Sequence, residues 1–156
     1  METSPAKTVL RFAALAVGLV LCGCALGPKF SAVETVPEGK TLVYVYRIGH
    51  FGGIASIHRI YANGAPVASL ANDSYYPFIT EPGTITFSSE SVGPNAIINM
   101  ANSNDHLLTL AARSGETYYL EFHIGDTWGP KLFLMEPETG SKRILKCRLA
   151  DTFAAK

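Results

Sequence analysis

Cysteine and net charge are what this chain has least of. Three cysteines occur in 156 residues and none sits in a Cys-x-x-Cys pair, while the four histidines (His50, His58, His106, His123) show no i, i+4 spacing. The local motifs that build most zinc sites are therefore missing, and no metal is expected. Thirteen basic residues balance thirteen acidic ones with no cationic run, which excludes nucleic-acid binding driven by counterion release. There is no Walker loop and no Gly-x-Ser-x-Gly elbow, and Gly49, Gly52 and Gly53 do not form a dinucleotide fingerprint. No motif implies a cofactor and no catalytic residue is marked, so a non-enzymatic role is expected. What is present is a 47% apolar, 17% charged composition. That suits one folded domain with a real core and argues against disorder.

The only long apolar stretch is Phe12 to Leu21, preceded by Lys7 and Arg11. A membrane-spanning helix needs roughly 20 apolar residues. This run is too short, and a positive start followed by an apolar centre is the order of an export signal. The residues that follow, Leu21, Cys22, Gly23 and Cys24, resemble a bacterial lipobox. The resemblance implies a signal peptide over 1–23, cleavage after Gly23, and lipidation of Cys24 with palmitate-type chains. Two or three such chains hold a protein on a bilayer almost permanently, at about 0.8 kcal/mol per buried methylene. Ala25 in place of Asp after the cysteine implies the outer membrane, with the domain facing the periplasm.

Loss of Cys22 and modification of Cys24 leave Cys147 as the only thiol, so no internal disulfide is expected and Cys147 reads as a small buried apolar residue. Residues 24–40 contain Pro28, Pro37 and Gly39 without periodicity and read as a lipidated N-terminus and flexible tether. At about 3.3 Å per residue it would reach roughly 50 Å.

From Thr41 to Ala150 short β-branched and aromatic runs alternate with turn signals, the rhythm of an antiparallel β-sandwich with about seven to eight strands and a short C-terminal helix. Thr41 to Ile48 is apolar on both faces and suits a central strand. Ile57 to Ala62 and Pro66 to Leu70 flank Asn63-Gly64, the signature of a type I′ hairpin. Tyr75 to Thr80 and Thr84 to Ser89 flank Glu81-Pro82-Gly83, a tight turn. Ser91 to Asp105 reads as a loop, with a short helix near Ala96 to Met100 as an option. His106 to Ala112 and Thr117 to Ile124 are separated by Arg113 to Glu116, the length of a hairpin connection. In the second run Tyr118, Leu120, Phe122 and Ile124 face the core, and Tyr119, Glu121 and His123 face away. Lys131 to Met135 reads as a strand, Glu136 to Ser141 as a turn, and Lys142 to Leu149 as either helix or strand, with helix preferred.

Four segments in order, Val43 to Arg47, Ile60 to Gly64, Tyr75 to Gly83 and Gly115 to Leu120, resemble an uncharacterised family of small bacterial lipoprotein domains, a domain of unknown function. They are also similar to the wider PEGA-type and transthyretin-like sandwiches. Asn63 stands where those usually have Asp, a swap that still accepts positive φ. The resemblance implies the fold and an envelope location and carries no catalytic residues.

Candidate chemistry is sparse. Adjacent tyrosines (Tyr75 and Tyr76, Tyr118 and Tyr119) and Trp128 in a loop bounded by glycine and proline could supply an adhesive surface, with Trp128 at the centre of the candidate binding loop. For a small envelope hydrolase the pairs to watch are His106 with Asp105 and His123 with Glu121. A periplasmic metal or small-ligand carrier would need the histidines to converge. The preferred expectation is a lipid-anchored binding or scaffolding module. Its partners are the membrane, through its lipid, and an envelope protein or cell-wall polymer, with no nucleic acid.

Overall fold

Every residue of the first strand, β1 (Thr41–Arg47), is buried, and the architecture follows from what is needed to cover it. The computed structural model describes residues 27–50, 56–92, 105–124 and 129–150. It forms a β-sandwich of one five-stranded and one four-stranded sheet. Among the described residues the further strands are β2 (Ile57–Ala62), β3 (Ala65–Leu70), β4 (Ser74–Thr80), β5 (Gly83–Val92), β6 (Asp105–Ala112), β7 (Thr117–Ile124), β8 (Pro130–Met135) and the two-residue β9 (Arg148–Leu149), with a helix, α1 (Pro137–Arg143), before β9. The sheet orders are β8-β7-β1-β4-β9 and β3-β2-β5-β6. As its two apolar faces require, β1 lies in the middle of its sheet. Two pairings there, β1 with β7 and β4 with β9, are parallel.

The Asn63-Gly64 hairpin forms as its chemistry demands. Asn63 has φ 50° and Gly64 φ 78°, the two positive values of a type I′ turn, and Asn63 Oδ1 accepts a hydrogen bond from Thr86 N–H at 2.8 Å. The Arg113–Glu116 connection does not make a hairpin. β6 pairs with β5 in one sheet, whereas β7 pairs with β1 and β8 in the other, so these four residues carry the chain across the sandwich. Gly115, at φ 76°, donates its N–H to Lys40 O, and Glu116 O accepts from Leu42 N–H. Besides its own turn bond, from Glu116 N–H to Arg113 O, the connector is thus bonded to the start of β1. Glu81-Pro82-Gly83 likewise turns the chain from one sheet to the other. β5 and β6 extend into the expected loop by Ser91–Val92 and Asp105, and residues 93–104, with the optional helix, lie outside the described residues.

Between the sheets Val43, Val45, Ile60, Phe87, Leu120 and Phe122 form the main core. The outer face of the five-stranded sheet carries a second apolar layer, in which Leu42, Tyr44, Tyr46 and Tyr75 meet Ile144, Cys147, Phe30, Val33 and Val36. This corrects two expectations. Residues 27–40 are not a free tether, because Phe30 N–H donates to Cys147 O, Leu149 N–H donates to Pro28 O, and the Phe30 ring packs edge-on against Tyr44 and Tyr75. The C-terminal segment is also divided differently. Helix α1 starts inside the expected turn, with Pro137 in its first turn, and is followed by a 3-10 turn (Ile144–Lys146) and β9. Proline is at home in a first helical turn, where its missing N–H costs nothing. Gly140, within that expected turn, lies against Tyr119, with no room for a β-carbon.

If the strap over 27–40 seals the outer layer, Phe30→Ala should lower stability by about 1.5–3 kcal/mol for the lost aromatic burial, read as a fall in urea midpoint. An unchanged midpoint would show that the strap contributes nothing to folding.

Candidate functional site

One end of the inter-sheet space is polar. Strand alternation puts Arg47 on the face of Val43 and Val45, His58 on that of Ile60 and Ala62, and Ser89 and Ser91 on that of Ile85 and Phe87. The register sets His58 opposite Ser91 and Ile60 opposite Ser89. Arg47 is 2% exposed and His58 3%, so both are interior groups. Arg47 Nη1 donates to Ser56 O at 2.7 Å and Nη2 to Ser56 Oγ at 3.2 Å. The His58 ring lies 4.9 Å from that of Phe122 across the sandwich. Neither ring nitrogen of His58, nor the hydroxyls of Ser89 and Ser91, meets a hydrogen-bond partner among the described residues.

Burial, reinforced by the Arg47 charge, pushes the His58 pKa down to about 4, so the imidazole is neutral at pH 7. Burial also lowers Arg47 to about 10, against the attraction of Asp73, which leaves it cationic. The end therefore offers one cation and one neutral donor-acceptor ring. Its rim is tied by side chains of the β3–β4 connection. Asp73 Oδ1 accepts from Gly49 N–H at 2.6 Å, and Asn72 exchanges two bonds with the backbone of His50. A β-carbon on Gly49 would meet the Asp73 carboxylate and displace it from this bond. The C-terminal ends of β1, β5 and β7, at Arg47, Val92 and Ile124, all lie at this end. Trp128, the centre of the expected binding loop, lies outside the described residues, as do Leu21, Cys22, Gly23 and Cys24.

A second polar centre sits on the outer face. Glu121 is 1% exposed although alternation placed it on the side away from the core, because α1 covers that side. Its carboxylate takes two 2.6 Å hydrogen bonds from Arg143, one of 2.9 Å from Tyr46 Oη, and a 2.7 Å contact with His123 Nε2. Burial alone would raise its pKa, but the hydrogen bonds from Arg143, Tyr46 and His123 together hold it below the usual carboxylate range. The His123–Glu121 pair exists as geometry, yet Glu121 is engaged by three partners and serves to dock α1 onto β7. For His106 with Asp105, only the backbone of these two residues is described.

The chain matches no protein-family model and no curated protein. Among the described residues no helix is long and apolar enough to cross a membrane, and no group of three or more His, Cys, Asp or Glu is placed to hold a metal ion. His50 and His123 are exposed and His58 is buried. Cys147 is buried and free; desolvation, with Asp73 and Glu121 adding to it, pushes its thiol up to about 12, so it stays protonated and unreactive.

The polar residues were visible in the sequence, but their convergence was not. His58 alternating with Ile60 and Ala62, and Ser89 with Phe87 and Ile85, carried the signal that they face inward.

Two pH dependences follow. His58 has its folded pKa below the unfolded 6.5, so the unfolded chain binds the extra proton and stability falls as pH drops from 6.5 toward about 4, by about 3 kcal/mol in all. His58→Leu should flatten urea-midpoint curves across that window, gaining more at pH 5 than at pH 8; parallel curves would contradict the assignment. Glu121 has its folded pKa depressed, so its contribution is full above the ordinary carboxylate value and is lost as pH falls through the folded one. Glu121→Gln should cost about 1–3 kcal/mol at pH 7, and the gap to the parent should close in acid.

Proposed function

We propose that the chain is a cell-envelope lipoprotein, anchored by lipid on Cys24, whose β-sandwich acts as a binding or scaffolding module. The observation that carries the reading is the order of charged start, apolar centre and Leu21-Cys22-Gly23-Cys24, immediately before a segment that docks on a folded domain. The likeness to small envelope lipoprotein domains and to PEGA-type sandwiches supports it. Ala25 favours the outer membrane, with the domain facing the periplasm. A rigid sandwich confined to a plane raises the local concentration of the surface it presents. An envelope protein or cell-wall polymer is the partner such a module would hold.

A hydrolase draws support only from the His123–Glu121 contact, and Glu121 already serves Arg143 and Tyr46. A metal or small-ligand carrier needs histidines that meet, and the described ones point to different surroundings.

In cells of a diderm bacterium, Cys24→Ala should abolish palmitate incorporation and move the protein from the membrane to the soluble fraction. Unchanged labelling and fractionation would overturn the reading.

A further inference from the structure

Only Ala25 and Leu26 lie between Cys24 and Gly27, and from Gly27 onward the chain is fixed to the sandwich. Pro28 O accepts from Leu149 N–H, Arg148 Nη1 donates to Gly27 O at 3.1 Å, Lys29 pairs with Arg148 across an antiparallel bridge, and Gly27 lies so close to Leu149 that a β-carbon would collide. Three residue steps at about 3.3–3.6 Å each give a slack of roughly 10 Å. That slightly exceeds the screening length of physiological salt, about 8 Å, and is the fully extended limit. An anchored domain is thus held with this edge at the bilayer.

The chemistry of that edge suits the position. Lys29, Lys146 and Arg148 are exposed and form no ion pair among the described residues, whereas Lys142 is paired with Glu138 and Arg143 with Glu121. Leu145, in the 3-10 turn beside them, is 61% exposed, the most exposed large hydrophobic residue described. Cations flanking an apolar side chain match a bilayer interface, where anionic phosphates lie above the first methylenes.

We propose that the strip formed by Lys29, Leu145, Lys146 and Arg148 rests on anionic phospholipid headgroups, so that the lipid anchor fixes the orientation of the domain as well as its location. The inference rests on lipidation of Cys24.

The test uses the full chain, processed in the envelope, purified in detergent and reconstituted into vesicles of phosphatidylethanolamine with a minority of phosphatidylglycerol. Leu145→Cys carries a nitroxide label; Cys24 has no free thiol when lipidated, and buried Cys147 is spared. The comparison site is Lys131→Cys on β8, at the opposite edge of the same sheet. The expected result is a several-fold lower collision rate of the Leu145 label with a water-soluble nickel chelate than of the Lys131 label, with the difference lost in vesicles lacking phosphatidylglycerol. A label at Lys146→Cys should behave like that at Leu145 and serves if Leu145→Cys misfolds. Equal accessibility of strip and comparison site in protein that floats with the vesicles overturns the contact and leaves the anchor standing. Protein that fails to float overturns both.

Discussion

A strand with two apolar faces cannot end at a two-layer sandwich. β1 presents Val43 and Val45 to one side and Leu42, Tyr44 and Tyr46 to the other, all nearly inaccessible to water. The second sheet covers the first set. The outer set of aromatic and aliphatic groups, at roughly 1.5–3 kcal/mol per buried side chain, requires a third layer. The chain supplies it from both ends, with the strap from Gly27 to Lys40 and the segment from Pro137 to Leu149. Tyr44 is joined to this layer by its ring against Phe30 and by its hydroxyl, which accepts from Val33 N–H at 2.8 Å. Parallel pairing of β1 with β7 and of β4 with β9 belongs to the same solution, since it brings the chain's later segments back onto this sheet.

The third layer also changes the meaning of polar residues beneath it. Glu121 would be a solvated strand carboxylate in a two-layer sandwich. Covered by α1, it becomes a buried charge that survives because Arg143, Tyr46 and His123 satisfy it, and removal of one partner of such a set is far costlier than the pair's net contribution. At the other polar centre the logic is reversed. Arg47 is hydrogen-bonded to Ser56, but His58 is buried without a partner among the described residues and stays neutral instead. Polar groups retained inside at a cost to stability are where a sandwich of this size departs from pure packing.

What could be read from the sequence was local. Asn63-Gly64 announces positive φ at two successive residues, and only one kind of connection uses that. The central place of β1 follows from its own two faces. Arg113 to Glu116 could not be resolved in this way, because four residues serve equally to close a hairpin or to cross between sheets, and the choice was made by Lys40 O and Leu42 N–H far back in the chain. Alternation in β7 separated Leu120 and Phe122 from Tyr119 and Glu121 correctly, yet it says nothing about whether a third layer covers the second set. Gly140 is ambiguous for a related reason: close approach to Tyr119 and a turn demand the same residue. Pro137, with Glu138 early and Lys142 and Arg143 late, carried the helix signal that the glycine obscured.

The strap has a different stability from the strands it covers. Its described backbone ties to the C-terminal segment are Phe30 to Cys147, Leu149 to Pro28 and the Arg148 side chain to Gly27, each about 1 kcal/mol net. β1 by contrast is paired along its length on both edges. Opening of the strap is therefore a local event of lower free energy than global unfolding, and it would uncover Tyr44 and Tyr75. A lipid at Cys24 would pull on this weaker element first, yet the Phe30 ring wedged between those tyrosines makes detachment expose aromatic surface to water. The strap is held less by its hydrogen bonds than by what its departure would uncover.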